Sequence, residues 1–194
     1  YSIPLLAVLS NPRRPILEAA NGTWFIWVVA SQSIAVVAAG IEPLYPEARQ
    51  WLAIIAVTTW SMGVMLYAMC GLLLLFRLIM YRLEPQQLDP PYWITMGAMA
   101  ITVVAGARIV EMDDAPMIDV TRALIAGLSV IFWAFATWLI PALLAAGVWR
   151  HVVKRVPFRY QPTLWSFVFP MGMYAAASIY LGRANRLPVV EAVG

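Results

Sequence analysis

Residues 164–182 read LWSFVFPMGMYAAASIYLG, and this stretch decides the fold class. It holds no charged side chain, and its length is close to the ~20 apolar residues that a helix needs to cross a bilayer. Phe169 and Pro170 lie in its first half, and small residues follow them. The stretch therefore predicts a membrane-spanning helix that contains a proline beside an aromatic ring.

The composition of the whole chain supports the same class. Of its 194 residues, 62% are hydrophobic and 12% are charged, and the mean hydropathy is +0.77. Soluble domains have about 25% charged residues, so this chain has half the usual charge. The apolar segments do not alternate residue by residue as the strands of a membrane barrel do. The chain is therefore expected to be an all-α integral membrane protein.

Five apolar segments are long enough to span a membrane, and together they predict a single transmembrane domain over residues 1–194. The first follows Asn21, a residue type that often caps a helix N-terminus. Because Tyr1 is not an initiator methionine and a new apolar run begins near residue 188, we expect a fragment cut at both ends. The segments cover approximately residues 23–40, 51–80, 92–110, 121–149 and 163–182.

The charges between these segments predict their orientation. The side that holds the N-terminus carries eight cations, namely Arg13, Arg14, Arg77, Arg82, Arg150, Lys154, Arg155 and Arg159. The other side carries five cations, Arg49, Arg108, Arg122, Arg183 and Arg186, together with most of the acids. The positive-inside rule therefore predicts a cytoplasmic N-terminus. We expect the membrane to be a plasma membrane, namely a bacterial inner membrane. The net charge of +3 is explained by these loops and does not indicate nucleic acid.

Small residues recur in the odd-numbered segments, as in ASQSIAVVAAG, GAMAITVVAGA and GMYAAASIYLG, whereas bulky side chains fill the second and fourth. Bulky side chains suit lipid contact, and small ones allow close helix packing or leave space along an axis. The alternation favours an inner ring of odd helices around a pore, with the even helices outside. Candidate pore-lining residues are Ser31, Gln32, Ser33, Gly97, Gly106, Gly172 and Ala176.

Pro170 has no N–H group, so it should kink its helix and leave the carbonyl of Ser166 without its usual partner. Phe169 precedes this kink, and its ring could plug a narrow pore. The simpler alternative is that proline and phenylalanine are ordinary in membrane helices. Pro141 should kink the fourth segment in the same way, where it more simply affects the helix shape.

The polar residues within the segments leave two readings open. At 100° per residue, Ser31, Gln32 and Ser33 cannot all face one axis, and each could instead hydrogen-bond a neighbouring helix. Arg108 could attract anions to an outer vestibule, or it could snorkel to the interface near Glu111 or Asp114. Arg77 is expected to snorkel in the same way.

No set of residues in the sequence indicates catalysis or a cofactor. The chain has one cysteine, Cys70, and one histidine, His151, which excludes an internal disulfide and a haem with two histidine ligands. The acidic run EMDDAPMID lacks the ligand spacing and mid-loop glycine of a calcium loop, so we expect a solvated loop and no metal. We expect no enzyme activity.

Three segments carry a resemblance to a known family: NGTWFIWVVASQSIAVVAA, PYWITMGAMAITVVAGARI and LWSFVFPMGMYAAASIYLG. They resemble the tellurite-resistance/dicarboxylate transporter family, which includes malate and sulfite carriers and the slow anion channels of plant guard cells. The likeness runs from about residue 16 to the C-terminus, and SFVFPMGMY is its most specific part. Many relatives are expected to carry a proline soon after NGTW, where Trp27 and Val28 stand, so a kink there is not implied.

The resemblance implies ten helices arranged as five helical hairpins, of which this chain covers helices five to nine. It implies that Phe169 matches a phenylalanine that occludes the pore, and that the protein forms a homotrimer. We therefore expect transport of a small anion, such as a C4-dicarboxylate like malate, sulfite, chloride or nitrate, through a central pore in the lipid bilayer. The alternative is a structural membrane subunit that transports nothing and whose small residues only pack.

Overall fold

A computed structural model describes residues 17, 20–82, 84–113 and 115–194. Arg13, Arg14 and Asp114, which entered the predictions above, lie outside these residues. Within the described part the chain is helical and contains no strand, which confirms the all-α class. Five helices are long and apolar enough to cross a membrane, within Gly22–Leu44, Pro46–Met80, Pro90–Val110, Pro116–Val153 and Pro162–Ala184.

The α-helices of these spans are α1 (Ile26–Ile41), α2 (Arg49–Met80), α3 (Ile94–Val110), α4 (Pro116–Val148) and α5 (Trp165–Ala184). A short helix α6, Pro188–Glu191, follows. Asn21 caps the 3₁₀ turn Gly22–Phe25 that leads into α1, where its side chain accepts a 2.9 Å hydrogen bond from the Thr23 amide. This satisfies one of the amides that a helix start leaves without a partner.

The helices differ strongly in burial. In the most apolar part of each span, 83% of the α3 residues are buried, against 17% for α2 and for α4. Helix α3 packs against α1, α2, α4 and α5, and small side chains such as Ala98, Ala100 and Ala105 are completely buried along it. Bulky side chains on α2 and α4, such as Met65, Leu72 and Trp138, are exposed to the bilayer side.

Two buried clusters hold the bundle together on either side of α3. One joins α1, α2, α3 and the start of α4 around Trp60, Ala105 and Ile125. The other joins α3, α4 and α5 around Met96, Ala136 and Ala177. Because lipid tails are as apolar as these side chains, the helices associate through close packing and interhelical hydrogen bonds rather than through expulsion of water.

Candidate functional site

Pro170 lies in the closest contact between α3 and α5. Its side chain is fully buried, and it faces Gly97 so tightly that a Cβ atom at Gly97 would lie 2.9 Å from the proline Cγ and 3.1 Å from its Cα. Only a glycine leaves room for this ring. The structure thus places Gly97, a candidate pore-lining residue, in a helix contact that orients the proline.

Phe169 occupies a different face of α5. Its side chain is 39% exposed, and Gly172 and Ala176 follow it at spacings of three and four residues, which places all three on one helix face. A Cβ atom at Gly172 would meet no atom within 4 Å, and Ala176 is half-buried. The contact at Pro170 therefore fixes α5 while Phe169 stays on a face that the described helices leave open.

The polar residues of α1 bond mainly to α2. The Ser31 hydroxyl donates to the Thr59 carbonyl at 2.7 Å, and the Gln32 amide donates to the Trp60 carbonyl at 3.1 Å. Gln32 is completely buried and lies against Gly63. Ser33 instead donates to the Val29 carbonyl of its own helix at 2.7 Å. Interhelical bonding, one of the two readings left open above, accounts for the hydroxyl of Ser31 and the amide nitrogen of Gln32.

Gly106 lies at a crossing of three helices. A Cβ atom there would come within 2.1 Å of the Ser129 hydroxyl on α4 and 3.3 Å of the Trp60 indole nitrogen on α2. The Trp60 indole N–H donates to the Thr102 carbonyl at 3.0 Å. Sequence reasoning missed Trp60, although a tryptophan in the middle of an apolar segment, away from the interface, is the signal that could have found it.

Arg108 joins the ends of α3 and α5. Its guanidinium donates to the Tyr180 hydroxyl at 2.9 Å, its central carbon lies 4.3 Å from the centre of the Tyr180 ring, and Glu111 is 4.0 Å away. The side chain is 37% exposed, so it is held in place and still accessible. The arginine is fixed in part by a tyrosine on another helix, a contact that the sequence did not predict.

The sequence predicted that Arg77 snorkels to the membrane interface, but the structure shows that it does not. It is 8% exposed, and it donates hydrogen bonds to the Tyr92 hydroxyl and, at 3.2 Å, to the Gln87 side chain. The prediction was wrong because the segment between α2 and α3 folds back over the arginine and supplies acceptors. Hydrogen bonds from a charged donor are about twice as strong as those between neutral groups, so these acceptors help to stabilise the buried guanidinium.

The α4–α5 contact contains a chain of polar side chains that the sequence did not reveal. The Trp133 indole donates to the Ser178 hydroxyl at 2.9 Å, and Ser178 donates to the Tyr174 carbonyl at 3.0 Å. The Tyr174 and Thr137 hydroxyls are 2.7 Å apart. These bonds join the outer helix to the helix that carries Phe169.

The Arg122 side chain holds the acidic segment between α3 and α4 in place. Arg122 pairs with Asp119 at 3.3 Å and donates to the carbonyls of Val110 and, at 2.8 Å, of Met112. Within the described ranges, no three acidic, histidine or cysteine side chains form a group that could hold a metal ion.

Comparison with known proteins gives consistent matches. The family model described as "Voltage-dependent anion channel" matches residues 1–194. An "Uncharacterized membrane protein" of Mycobacterium tuberculosis is 60% identical over 129 residues, which are 66% of each chain. An "Uncharacterized transporter" of Methanocaldococcus jannaschii is 26% identical over 179 residues, 92% of this chain and 50% of the relative. The chain thus spans about half the length of this archaeal relative, and no solved structure matches.

Proposed function

Because the chain belongs to the voltage-dependent anion channel family, we propose that it forms part of a membrane pathway for small anions. The archaeal relatives are named as transporters, and the family is one of channels and transporters rather than enzymes. The candidate solutes are those that a narrow, mainly apolar conduit admits: malate and related C4-dicarboxylates, sulfite, chloride and nitrate.

The proposed pathway runs along the open face of α5, and the ring of Phe169 closes it. This proposal rests on the difference in burial between two neighbouring residues, Pro170 and Phe169. Pro170 is wedged against Gly97, whereas Phe169 is 39% exposed above Gly172, which has free space around it. An aromatic ring above a face of small residues can obstruct permeation by steric exclusion or by dewetting.

Attraction of the anion is assigned to Arg108, at the end of α3 opposite the basic loop. Its pairing with Tyr180 holds the guanidinium in one place, and Glu111 at 4.0 Å neutralises it only in part. Conduction requires attraction that is weak enough for the ion to leave. An arginine partly balanced by a carboxylate meets this condition better than a bare one.

The test is an electrical recording of the full-length protein in malate, sulfite, chloride and nitrate. Phe169→Ala is expected to increase the anion current several-fold over the wild type, because truncation removes the obstruction. Phe135→Ala is the matched control, since Phe135 lies on the outer helix α4 and is similarly exposed, at 41%. It should leave the current unchanged.

Two outcomes contradict the proposal. If Phe169→Ala inserts normally and remains as silent as the wild type, the ring is not a gate. If no anion current or proton-coupled anion uptake occurs with any variant, a structural subunit that transports nothing becomes the better description. Current that follows the anion gradient alone indicates a channel, whereas saturable flux coupled to protons indicates a carrier.

We also propose that the basic end of the bundle faces the cytoplasm across a plasma membrane, and that the protein assembles as a homotrimer. The loop from Arg150 to Arg159 supplies the main support for the orientation, through the positive-inside rule. A cysteine introduced at Arg159 should resist a membrane-impermeant maleimide in intact cells, and one at Arg186 should react. Cys70, the chain's one cysteine, is buried and gives little background.

A further inference from the structure

A second feature of the molecule lies away from the proposed pathway, between α4 and α5. The two helices are joined by hydrogen bonds at Trp133 and Thr137, and a cavity of about 620 Å³ opens between them further along α4. Pro141 lies between the last of these bonds and the cavity, where a proline bends a helix. The cavity walls are mostly apolar, with Trp93, Leu143, Leu144, Gly147, Phe167 and Val168 among them.

The mouth of this cavity is polar and basic. A smaller cavity of about 40 Å³ adjoins it, and Arg150, His151, Arg159 and Gln161 line this smaller space. A single water needs roughly 10–15 Å³, so the space admits a group of a few polar atoms. Arg150 and His151 line both cavities, so an apolar chamber and a small polar chamber meet at these residues.

Arg150 is the charged residue of this site that contacts within the protein hold in place. It is 9% exposed, donates to the Leu88 carbonyl and, at 3.1 Å, pairs with Asp89. Its Nε is buried and has no hydrogen-bond partner among the described residues. A buried N–H without an acceptor is unfavourable, and the Arg150 side chain that carries it lines the polar cavity.

The charge around the mouth selects an anion. Arg150 and Arg159 both line the polar cavity, and Asp89 is the carboxylate that pairs with Arg150. The mouth therefore keeps a net positive charge. A free anion would use only the polar cavity and would leave the apolar cavity without a role, whereas an amphiphile uses both.

We propose that these joined cavities bind an anionic phospholipid. Its phosphate lies in the polar cavity that Arg150 and Arg159 line, and one acyl chain fills the space beside Gly147. Each methylene group buried there contributes about fourfold to affinity, and one basic residue near an anionic headgroup contributes about fivefold. Phe167 and Val168 line the cavity, so the bound chain packs against α5 one turn before Gly172.

Native mass spectrometry of the full-length protein in detergent tests this site, with phosphatidylglycerol and phosphatidylcholine of identical acyl chains as probes. Wild type should retain one phosphatidylglycerol molecule in preference to phosphatidylcholine. Gly147→Leu should lower retention of both lipids at least fourfold, since a Cβ atom at Gly147 meets no atom within 4 Å and the larger side chain extends into the cavity. Arg159→Gln should lower phosphatidylglycerol retention about fivefold.

Two matched controls separate this site from general effects. Gly127→Leu makes the same change on α4, where a Cβ atom also meets nothing within 4 Å; the cavity lies further along the helix. Arg155→Gln removes the same charge from the same loop at a residue that lines neither cavity. Both controls should retain the lipid as wild type does.

Four results would overturn the proposal. Equal retention of the two lipids by wild type would mean that the site does not select the headgroup. Equal loss of lipid with Gly127→Leu and Gly147→Leu would mean that the cavity beside Gly147 does not hold the acyl chain. Displacement of the lipid by millimolar inorganic phosphate would identify a small-anion site. A change of oligomeric state with Gly147→Leu, and none with Gly127→Leu, would mean that a second copy of the chain covers the cavity.

Discussion

The two prolines inside transmembrane helices have the same local chemistry and opposite surroundings. Pro141 on α4 is exposed on the outer surface of the bundle, whereas Pro170 on α5 is fully buried against Gly97 of α3. Each removes one backbone donor from its helix. Only at Pro170 does a second helix fit the ring, so only there does the proline set the position of its neighbour, Phe169.

The difference shows that a proline in a membrane helix acquires its role from the partner helix. At Pro141 the ring is exposed and is not enclosed by a neighbouring helix of the described part. At Pro170 the glycine opposite allows the backbones to approach, and the ring then locks two helices together. Substitutions at Gly97 and Pro170, on the two sides of this contact, test the comparison, and so do substitutions on α4.

The largest effect is expected from enlarging the residue that faces the buried proline. Gly97→Leu places a side chain where even a Cβ atom lies 2.9 Å from the Pro170 ring. Because a ring and its backbone cannot move away cheaply, overpacking should lower the free energy of unfolding by about 1–3 kcal/mol or more. Denaturant unfolding of the purified protein in detergent measures this change.

The control for this variant is Gly127→Leu on α4, where the space is open. It should change the free energy of unfolding by no more than about 0.5 kcal/mol, as substitutions away from packed sites do. Equal destabilisation by the two variants would show that Gly97 has no special contact with Pro170.

A smaller effect is expected from removing the prolines themselves. Pro170→Ala loses the buried ring and should destabilise the protein by about 1–2 kcal/mol, within the usual range for loss of packing. Pro141→Ala restores a donor on an exposed face and should leave stability unchanged or raise it. If Pro141→Ala proved the more destabilising of the two in thermal unfolding, the comparison would be reversed.

The smallest effect is expected from the polar link between α4 and α5. Ser178→Ala leaves the Trp133 indole N–H without its 2.9 Å acceptor, and interhelical hydrogen bonds in membranes contribute about 0.6 kcal/mol on average. Ser33→Ala is the control, because that hydroxyl bonds only the Val29 carbonyl of its own helix. A greater loss with Ser33→Ala in the same unfolding assay would exclude a role for the link.

The sequence was most informative where the bilayer itself imposes a rule. A segment without charges, such as residues 164–182, must form a helix because its backbone finds no partner in lipid. The all-α membrane class was predicted on this basis, whereas the family resemblance was predicted from three particular segments of the sequence; both are confirmed. The alternation of small and bulky segments agrees with the burial, since α3 is the most enclosed span and α2 and α4 the least.

The sequence was least informative about which polar side chains meet. Arg77 was expected to reach water, and it is buried against Tyr92 and Gln87. Trp60 and Tyr174 did not stand out in the sequence, yet each takes part in hydrogen bonds between helices. Such contacts join residues 10 to 42 positions apart, and no local pattern encodes the angle at which two helices cross.

The sequence by itself determined that this protein spans a membrane, that its helices divide into an enclosed set and an outer set, and that a proline lies inside a helix beside Phe169. Only the tertiary structure decided that Pro170 is buried against Gly97 while Phe169 stays partly exposed, and that α4 and α5 part beyond Pro141 to leave an apolar cavity with a basic mouth. The physical reason is that hydropathy is a property of each segment, whereas a pocket or a locked contact depends on distances between segments.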